Sequence, residues 1–281
     1  MLVIRSAHRM AARSWRLRQQ GRRLGVVPTM GALHEGHASL IRAAAAHNDV
    51  VVVTVFVNPL QFGPREDFRR YPRTLARDLY LAGRAGADIV FAPSAQELYP
   101  AGFHIRLDVG SIGACWEGRS RPGHFSGVAT VVALLFHLTH PTNVYFGQKD
   151  YQQTLVVRRL IEDLQIPVRL HVLPTVREPD GLALSSRNRY LSRGQRREAA
   201  ILYRALCAAR RRIRSGERRS GPIVAAMKCL IRSAGVRVDY TAVVEARTLA
   251  PQARLRGRVA ILVAGWLGRT RLIDNLLVDV P

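Results

Sequence analysis

Two histidines, His34 and His37, lie three residues apart in a segment that could bind phosphate. The segment follows an apolar run, 24–27, that predicts a buried strand, and it leads into an alanine-rich stretch that predicts a helix. A helix N-terminus favours an anion because its first backbone N–H groups are free and its dipole is positive there. Gly31 and Gly36 would let a ligand approach the backbone. The spacing therefore predicts a phosphate site, and two ordinary surface histidines are the alternative.

A second candidate segment, 147–150, follows another predicted strand. Lys149 is one of two lysines among 43 basic residues, so a lysine retained here favours a contact with phosphate. Asp150 is placed to cap the next helix, and Gln153 lies one turn into it. The alternative is a plain strand-to-helix turn with a solvent-exposed lysine.

Two further loops carry polar side chains that suit small anionic ligands. Ser185, Ser186 and Arg187 could clamp a polyphosphate tail, because arginine engages two oxygens at once. Asn58 and Gln61 place two uncharged amides beside an aromatic residue, which suits the hydroxyls or carboxylate of a small substrate. Ordinary turns are the alternative for both loops. The sequence shows no zinc spacing, no legible nucleophile triad and neither of the common glycine-rich nucleotide fingerprints.

The formal net charge of +23 would suit a polyanionic partner. The excess is nearly all arginine, and no basic block with interleaved aromatics forms a base-stacking face. We therefore expect no specific nucleic-acid partner, although non-specific attraction to polyanions is expected at low salt. The apolar run 128–138 is too short to span a bilayer, so no membrane partner is expected. Three cysteines without metal-ligand spacing indicate a reducing compartment.

The order of the predicted elements indicates an α/β protein. Strands and helices alternate over residues 1–175, which predicts a Rossmann-like, doubly wound parallel sheet. The arginine-rich first 23 residues read as a strand and a helix of this fold rather than as a leader. Residues 176–281 predict a smaller α+β domain with an antiparallel sheet. The predicted strands are Leu2–Ile4, Leu24–Val27, Val50–Phe56, Ile89–Phe91, Val144–Phe146, Val236–Glu245, Val259–Leu267 and Thr270–Val280. The predicted helices are Arg5–Gln20, Gly36–His47, Thr74–Ala85, Val128–His140, Tyr151–Leu164, Arg193–Ser215 and Ser220–Ala234.

These segments together resemble the pantoate–β-alanine ligase (pantothenate synthetase) family over nearly the full chain. The His-x-Gly-His pattern alone indicates only a nucleotidyltransferase of the class I aminoacyl-tRNA synthetase type. The combination with the amide, lysine and serine segments is specific to the family. The segments that carry the resemblance are 27–40, 56–62, 71–74, 124–128, 146–153 and 177–191.

The resemblance implies an ATP-dependent condensation of pantoate with β-alanine through a pantoyl adenylate, releasing pyrophosphate and AMP. It implies catalytic roles for His34, His37 and Lys149, with His37 as the proton donor. Gln61 and Gln153 would bind pantoate, and Gln61 would also lie near β-alanine. The first domain would bind nucleotide and pantoate, and the second would be a lid that carries the serine loop. The implied ATP-binding residues are Met30, Gly31, Ala32, Leu33, His34, Glu35, Gly36, His37, Gly147, Gln148, Lys149, Asp150, Val176, Leu184, Ser185, Ser186 and Arg187.

The resemblance also implies a cytoplasmic homodimer, small-molecule substrates and Mg²⁺ carried on the ATP phosphates, with no protein ligand assigned to the metal. Two positions depart from the family pattern: Gln148 replaces a glutamate, and Leu184 replaces a methionine of similar volume. Two alternatives stay open from the residues. One is a nucleotidyltransferase with a different acceptor, and the other is a basic nucleic-acid-binding protein with a vestigial cleft.

Overall fold

The computed structural model describes residues 1–64 and 66–281, which form two compact units. Unit 1 comprises residues 1–147 and 152–174, and unit 2 comprises residues 148–151 and 175–281. The division differs from a single boundary near residue 175, because the turn at 148–151 groups with the second unit.

Unit 1 contains the predicted doubly wound parallel sheet. Its described strands are β1 (Leu2–Ile4), β2 (Leu24–Thr29), β3 (Val50–Val55), β4 (Ile89–Phe91), β5 (Asn143–Gly147) and β6 (Arg169–Leu173). They lie in the order β1-β4-β3-β2-β5-β6 and all pair in parallel. The chain order reverses between β2 and β5, and ligands of such sheets bind beyond the carboxyl ends of the strands at this point.

Strand β6 is absent from the sequence-based prediction. It lies at the edge of the sheet, where none of its five residues is fully buried. Arg169 and His171 interrupt the apolar pattern that a buried strand requires. The edge position therefore explains why the sequence carries no strand signal there.

Helices cover both faces of the sheet in unit 1. Their bounds are α1 (Ala7–Gln19), α2 (Glu35–His47), α3 (Leu75–Ala85), α4 (Ala95–Leu98), α5 (Glu117–Ser120), α6 (His124–Thr139) and α7 (Tyr151–Asp163), whose first residue belongs to unit 2. Neighbouring residues on one strand enter different cores: Val26 packs in one apolar cluster and Val27 in another. This alternation buries both faces and explains the continuous apolar runs of the central strands.

Unit 2 is the predicted smaller α+β unit. Helices α8 (Arg193–Ala199), α9 (Ile201–Arg214) and α10 (Ser220–Ser233) precede the antiparallel strands β7 (Arg237–Glu245), β8 (Arg258–Leu267) and β9 (Thr270–Asp279). The predicted single helix 193–215 is divided at Ala200, whose backbone keeps near-helical angles. The apolar periodicity therefore continues through the division. In the part of the chain that the structure describes, no helix has the length and apolarity to cross a membrane.

Helix α6 begins at His124, four residues before the predicted start at Val128. The sequence signal for this helix was the apolar run, whereas its first turn contains His124, Ser126 and Gly127. That turn lies against the short 3₁₀ turn Pro59–Gln61, and a Cβ atom added at Gly127 would overlap the carbonyl of Leu60. The glycine therefore sets how closely the segment carrying Gln61 approaches α6.

Substituting Gly127→Ala should lower the stability of the protein, although alanine is normally the better helix former. The added methyl group has no room and should cost about 1–3 kcal/mol through overpacking. Gly83→Ala is the matched control, because this glycine lies within α3 and its added Cβ would meet only the flexible Met1 side chain, 3.6 Å away. The control should be neutral or more stable by up to about 1 kcal/mol. Urea unfolding measures both, and an equal gain in the two variants would contradict the tight contact.

Candidate active site

The glycine turn after β2 has an unusual backbone. Gly31 and Ala32 have positive φ angles of 83° and 50°, of which the second is uncommon for a residue with a side chain. The hydroxyl of Thr29 accepts a hydrogen bond from the Gly31 N–H (3.2 Å) and donates to the carbonyl of Thr54 (2.6 Å). The turn is thus fastened to β2 and β3 before it reaches the histidines.

Asp78 of α3 holds the same turn from the other side. Its side chain accepts hydrogen bonds from the backbone N–H groups of Ala32 (3.1 Å) and Leu33 (2.8 Å) and from the hydroxyl of Thr74 (3.3 Å). Asp78 is 1% exposed, so these bonds replace the water that a carboxylate requires. The sequence analysis missed this residue. The available signal was an aspartate on the face of α3 that buries Ala82 and Ala85.

His34 and His37 form a reciprocal cap at the start of α2. The Nδ1 atom of His34 accepts the N–H of Gly36 (3.2 Å), and the Nδ1 atom of His37 accepts the N–H of His34 (3.3 Å). The two ring centroids are 4.1 Å apart. Since each Nδ1 is an acceptor, the hydrogen-bond pattern assigns the proton of each neutral imidazole to Nε2. Both rings therefore carry an Nε2–H donor beyond the cap.

This arrangement corrects the expectation that free backbone N–H groups of the first helical turn receive the anion. Two of those groups bond to the imidazoles, and the N–H of His37 bonds to the carbonyl of His34 (2.8 Å). At this helix end the backbone N–H donors are used in the cap, and the Nε2–H groups of the two imidazoles are the donors of the side chains. Glu35 is exposed and ion-paired with Arg42, so its carboxylate is engaged away from the cap.

Gln61 has an oriented side chain in unit 1. Its Oε1 accepts from the Nδ2 of Asn58 (3.1 Å), and its Nε2 lies 3.0 Å from the sulfur of Met30. A thioether is a weak acceptor, so the Nε2 donors could turn to a carboxylate or hydroxyl oxygen of a ligand. The structure thus brings two predicted site residues, Gln61 and Met30, into contact.

The orientation of Asn58 depends on Tyr99. The tyrosine hydroxyl donates to Oδ1 of Asn58 (2.7 Å), and the Asn58 Nδ2 donates to the carbonyl of Gly127 (3.0 Å). Burial raises the pKa of Tyr99, and nearby Arg106 opposes this only in part. The hydroxyl therefore remains a donor at neutral pH, which fixes the direction of both amides.

The two neighbouring glutamines at the start of α7 differ in their surroundings. Gln153 is half-buried, whereas Gln152 is 7% exposed. The Nε2 of Gln152 donates to the carbonyls of Ile112 (2.7 Å) and Cys115 (2.9 Å), and its Oε1 accepts the N–H of Glu117 (3.1 Å). Gln152 therefore fastens the segment before α6, which leaves Gln153 as the candidate ligand contact.

The Lys149 turn, residues 148–150, belongs to unit 2. The ammonium of Lys149 lies 3.4 Å from a carboxylate oxygen of Asp150, and the lysine side chain is 21% exposed. The Nδ2 of Asn275 donates to the carbonyls of Gln148 and Lys149, each at 2.9 Å. The side chain of Gln148, which departs from the family pattern, donates to the Oδ1 of Asn275 (3.2 Å). Asn275 is absent from the sequence-based predictions because it lies far along the chain from this turn.

The serine loop follows a small hairpin in unit 2. Arg177 and Ala183 form an antiparallel bridge, and the N–H of Leu184 donates to the carbonyl of Val176 (3.0 Å). Ser185 then begins a 3₁₀ turn over Ser186–Tyr190, and its hydroxyl accepts the N–H of Arg187 (3.3 Å). The segment just before the predicted phosphate-binding residues is therefore held by regular backbone hydrogen bonds.

A buried ion pair anchors the base of this hairpin. The guanidinium of Arg177 donates to both carboxylate oxygens of Asp274, at 2.6 and 2.8 Å. The aspartate side chain is 3% exposed and the arginine side chain 15% exposed. The guanidinium also stacks 4.0 Å from the ring centroid of Tyr203. Removal of either charge would leave its partner buried and uncompensated.

The predicted site residues thus fall into two groups, one in each unit. Residues Met30–His37, Gln61, Gly147 and Gln153 lie in unit 1, and residues Gln148–Asp150, Val176 and Leu184–Arg187 lie in unit 2. Within residues 1–64 and 66–281, no cluster of three or more histidines, cysteines or carboxylates is placed to hold a metal ion.

Comparison with known proteins gives one consistent result. The family model described as pantoate-beta-alanine ligase matches residues 2–277. The pantothenate synthetase of Moorella thermoacetica is 52% identical over 264 residues, which are 94% of this chain and 93% of that protein. The crystal structure of pantothenate synthetase from Thermus thermophilus matches with a TM-score of 0.93 at 48% identity, covering 98% of this chain and 99% of that one.

A third relative has been crystallised with ligands. The pantoate-beta-alanine ligase of Francisella tularensis, complexed with beta-gamma ATP and beta-alanine, matches with a TM-score of 0.82 at 36% identity. The match covers 99% of this chain and 97% of that one.

The cap predicts different effects for two substitutions of His34. His34→Ala removes the acceptor for the Gly36 N–H and should destabilise the protein by about 0.5–2 kcal/mol. His34→Asn supplies another preferred capping residue and should unfold within about 0.5 kcal/mol of the wild type. Thermal unfolding followed by circular dichroism measures both. Equal destabilisation of the two variants would show that the imidazole stabilises the fold by something other than its cap.

Proposed function

The chain belongs to the pantoate–β-alanine ligase family, and we propose that it condenses pantoate with β-alanine in two steps. In the first, a pantoate carboxylate oxygen attacks the α-phosphorus of ATP, and pyrophosphate leaves with the electrons of the broken P–O bond. In the second, the amine of β-alanine attacks the carbonyl carbon of the pantoyl adenylate. AMP leaves, the amine loses a proton, and the new amide bond completes pantothenate.

The observation that carries this proposal is the histidine pair at the start of α2. Each Nδ1 accepts a backbone N–H, so each Nε2–H can donate to a phosphate oxygen. Negative charge grows on those oxygens as pyrophosphate leaves, and fixed donors stabilise it without reorganising during the reaction. We assign this role to His34 and His37, with His37 as the proton donor.

Unit 2 supplies the cationic and hydroxyl groups of the proposal. We assign Lys149 to the charge of the α-phosphate region, where its compact ammonium acts as a point charge. Ser185, Ser186 and Arg187 are assigned to the β- and γ-phosphates, for which the arginine fork offers paired donors. Mg²⁺ would arrive with ATP, bound through phosphate oxygens and water, as is usual for this ion. These residues would bind and neutralise the polyphosphate, and all of them lie in unit 2.

Unit 1 supplies the acid-binding groups. Gln61 and Gln153 are assigned to pantoate, and Gln61 also to the β-alanine position. The oriented Nε2 of Gln61, next to the weakly accepting sulfur of Met30, supports the assignment because a ligand oxygen is the better acceptor. The Francisella tularensis ligase, crystallised with beta-gamma ATP and beta-alanine, supports the same substrate classes. Positioning of the two reactants then provides much of the acceleration.

Isotope exchange tests the adenylate directly. Labelled pyrophosphate should enter ATP when pantoate is present and β-alanine is absent, because the first step is reversible. AMP should accumulate only when ATP, Mg²⁺, pantoate and β-alanine are all present.

Two results would contradict the proposal in different ways. If AMP forms but labelled pyrophosphate does not enter ATP, the reaction does not pass through a pantoyl adenylate formed before β-alanine binds. Folded protein that forms no AMP with all substrates would remove the ligase activity itself.

The adjacent glutamines of α7 provide a matched pair of variants. Gln153→Ala should raise the KM for pantoate about tenfold, the loss of one hydrogen bond to a charged ligand, with little change in the KM for ATP or in the melting temperature. Gln152→Ala should instead lower the melting temperature, because it leaves the buried N–H of Glu117 and two part-buried carbonyls unpaired. Equal changes in the KM values of pantoate and ATP for Gln153→Ala would count against the pantoate assignment.

A further inference from the structure

Asn275 uses its whole side-chain amide on the Lys149 turn. Its Nδ2 group donates to two successive carbonyls, those of Gln148 and Lys149, and its Oδ1 accepts from the Gln148 side chain. The residue is 2% exposed and lies on β9, an edge strand of the described antiparallel sheet. One carboxamide that bonds two successive carbonyls fixes the orientation of both peptide planes.

The bond from Gln148 adds direction to this contact. An asparagine side chain can flip, which exchanges its oxygen and its nitrogen. Because Gln148 donates to Oδ1, the Nδ2 group faces the two carbonyls. A glutamate at position 148, as in the family pattern, would carry no such donor when ionised. The glutamine of this chain thus adds a hydrogen bond that helps to hold the Asn275 amide against the turn.

The preceding residue, Asp274, holds the serine loop in the same way. Its carboxylate binds Arg177 at the base of the hairpin that leads to Ser185, and it also accepts the N–H of Asn275 (2.8 Å). Successive residues of a strand face opposite sides, so two neighbouring side chains reach two different segments. Both segments carry groups that the proposed function assigns to phosphate.

We propose that Asn275 is a positioning residue for Lys149, and that the Asp274–Asn275 pair holds the Lys149 turn and the serine loop in one fixed frame. The proposal rests on the proposed function for the assignment of Lys149 to ATP phosphate. A lysine side chain is a flexible stem with a point charge, so the placement of its ammonium depends on the placement of its backbone. Two part-buried hydrogen bonds from Asn275 to that backbone provide the placement.

The first measurement uses the rarity of lysine in this chain. Lys149 and Lys228 are its two lysines, so the acetylation rate of Lys149 relative to Lys228, read by mass spectrometry, reports on the Lys149 side chain with an internal reference. In Asn275→Ala without ATP, this ratio should rise several-fold. An unchanged ratio would overturn the positioning role.

The second measurement separates positioning from general loss of stability. In Asn275→Ala, kcat/KM for ATP in pyrophosphate exchange should fall by up to about a hundredfold, the cost of misplacing a binding group by about 1 Å. The KM for pantoate should change much less. Val278→Ala is the control, because it truncates a buried side chain of the same strand that packs in the apolar core of unit 2. An equal change of the acetylation ratio in this control would reduce Asn275 to a stabiliser of β9 and overturn the proposal.

Gln148→Ala keeps the test decisive if Asn275→Ala does not fold. It removes the bond that directs the Asn275 amide and leaves β9 intact, so it should raise the acetylation ratio in the same direction by a smaller factor. An unchanged ratio in Gln148→Ala would then overturn the proposal. The proposed function fails separately: in that case ATP does not protect Lys149 from acetylation in the wild-type protein, whatever the variants do.

Discussion

The buried carboxylate of Asp78 is the interaction on which the first half of the site depends. The turn after β2 holds a non-glycine residue, Ala32, at a positive φ angle, and the N–H groups of Ala32 and Leu33 bond to a side chain. Asp78 accepts both of these groups while it is itself shielded from water. These bonds fix the direction in which the chain leaves the turn. The chain then enters α2, whose N-cap residue is His34. A carboxylate on α3 thus holds the backbone that leads to the N-cap residue of α2.

The histidine pair gives each ring two tasks on its two nitrogens. Nδ1 caps the helix end, and Nε2–H is the donor that the proposed function assigns to a phosphate oxygen. Protonation of either ring would turn an acceptor into a donor and set it against a backbone N–H. Each cap bond uses an Nδ1 without a proton, so the hydrogen-bond pattern places the N–H of each ring at Nε2. An aspartate would cap the helix equally well, but an ionised carboxylate supplies no hydrogen-bond donor.

Much of the fold follows from the sequence, because the central strands are buried on both faces and leave continuous apolar runs such as 50–53. The prediction fails where burial is partial, as in β6, or where polar residues pack inside, as in the first turn of α6. The same distinction applies to the site. His34, Lys149 and Arg187 stand out in the sequence because their types and spacing predict contacts with phosphate.

The residues that hold those groups in place leave no such signal. Asp78 binds a turn 45 and 46 positions earlier in the chain, and Asn275 binds carbonyls 126 and 127 positions earlier. An aspartate in a helix and an asparagine in a strand have no local pattern that names such distant partners. Asp78 and Asn275 meet these partners only in the folded chain, and the spacing of residues along the sequence does not predict the contacts.

The ion pair of Arg177 and Asp274 has one more consequence, because β9 is an edge strand. An exposed edge offers unpaired backbone groups to the strands of other molecules, which invites edge-to-edge aggregation. At Asn275 both backbone groups are taken: the N–H donates to Asp274, and the carbonyl accepts from Arg177 (3.4 Å). The ion pair that fastens the base of the serine-loop hairpin therefore also occupies backbone groups of this edge strand, which makes the edge less available to a strand of another molecule.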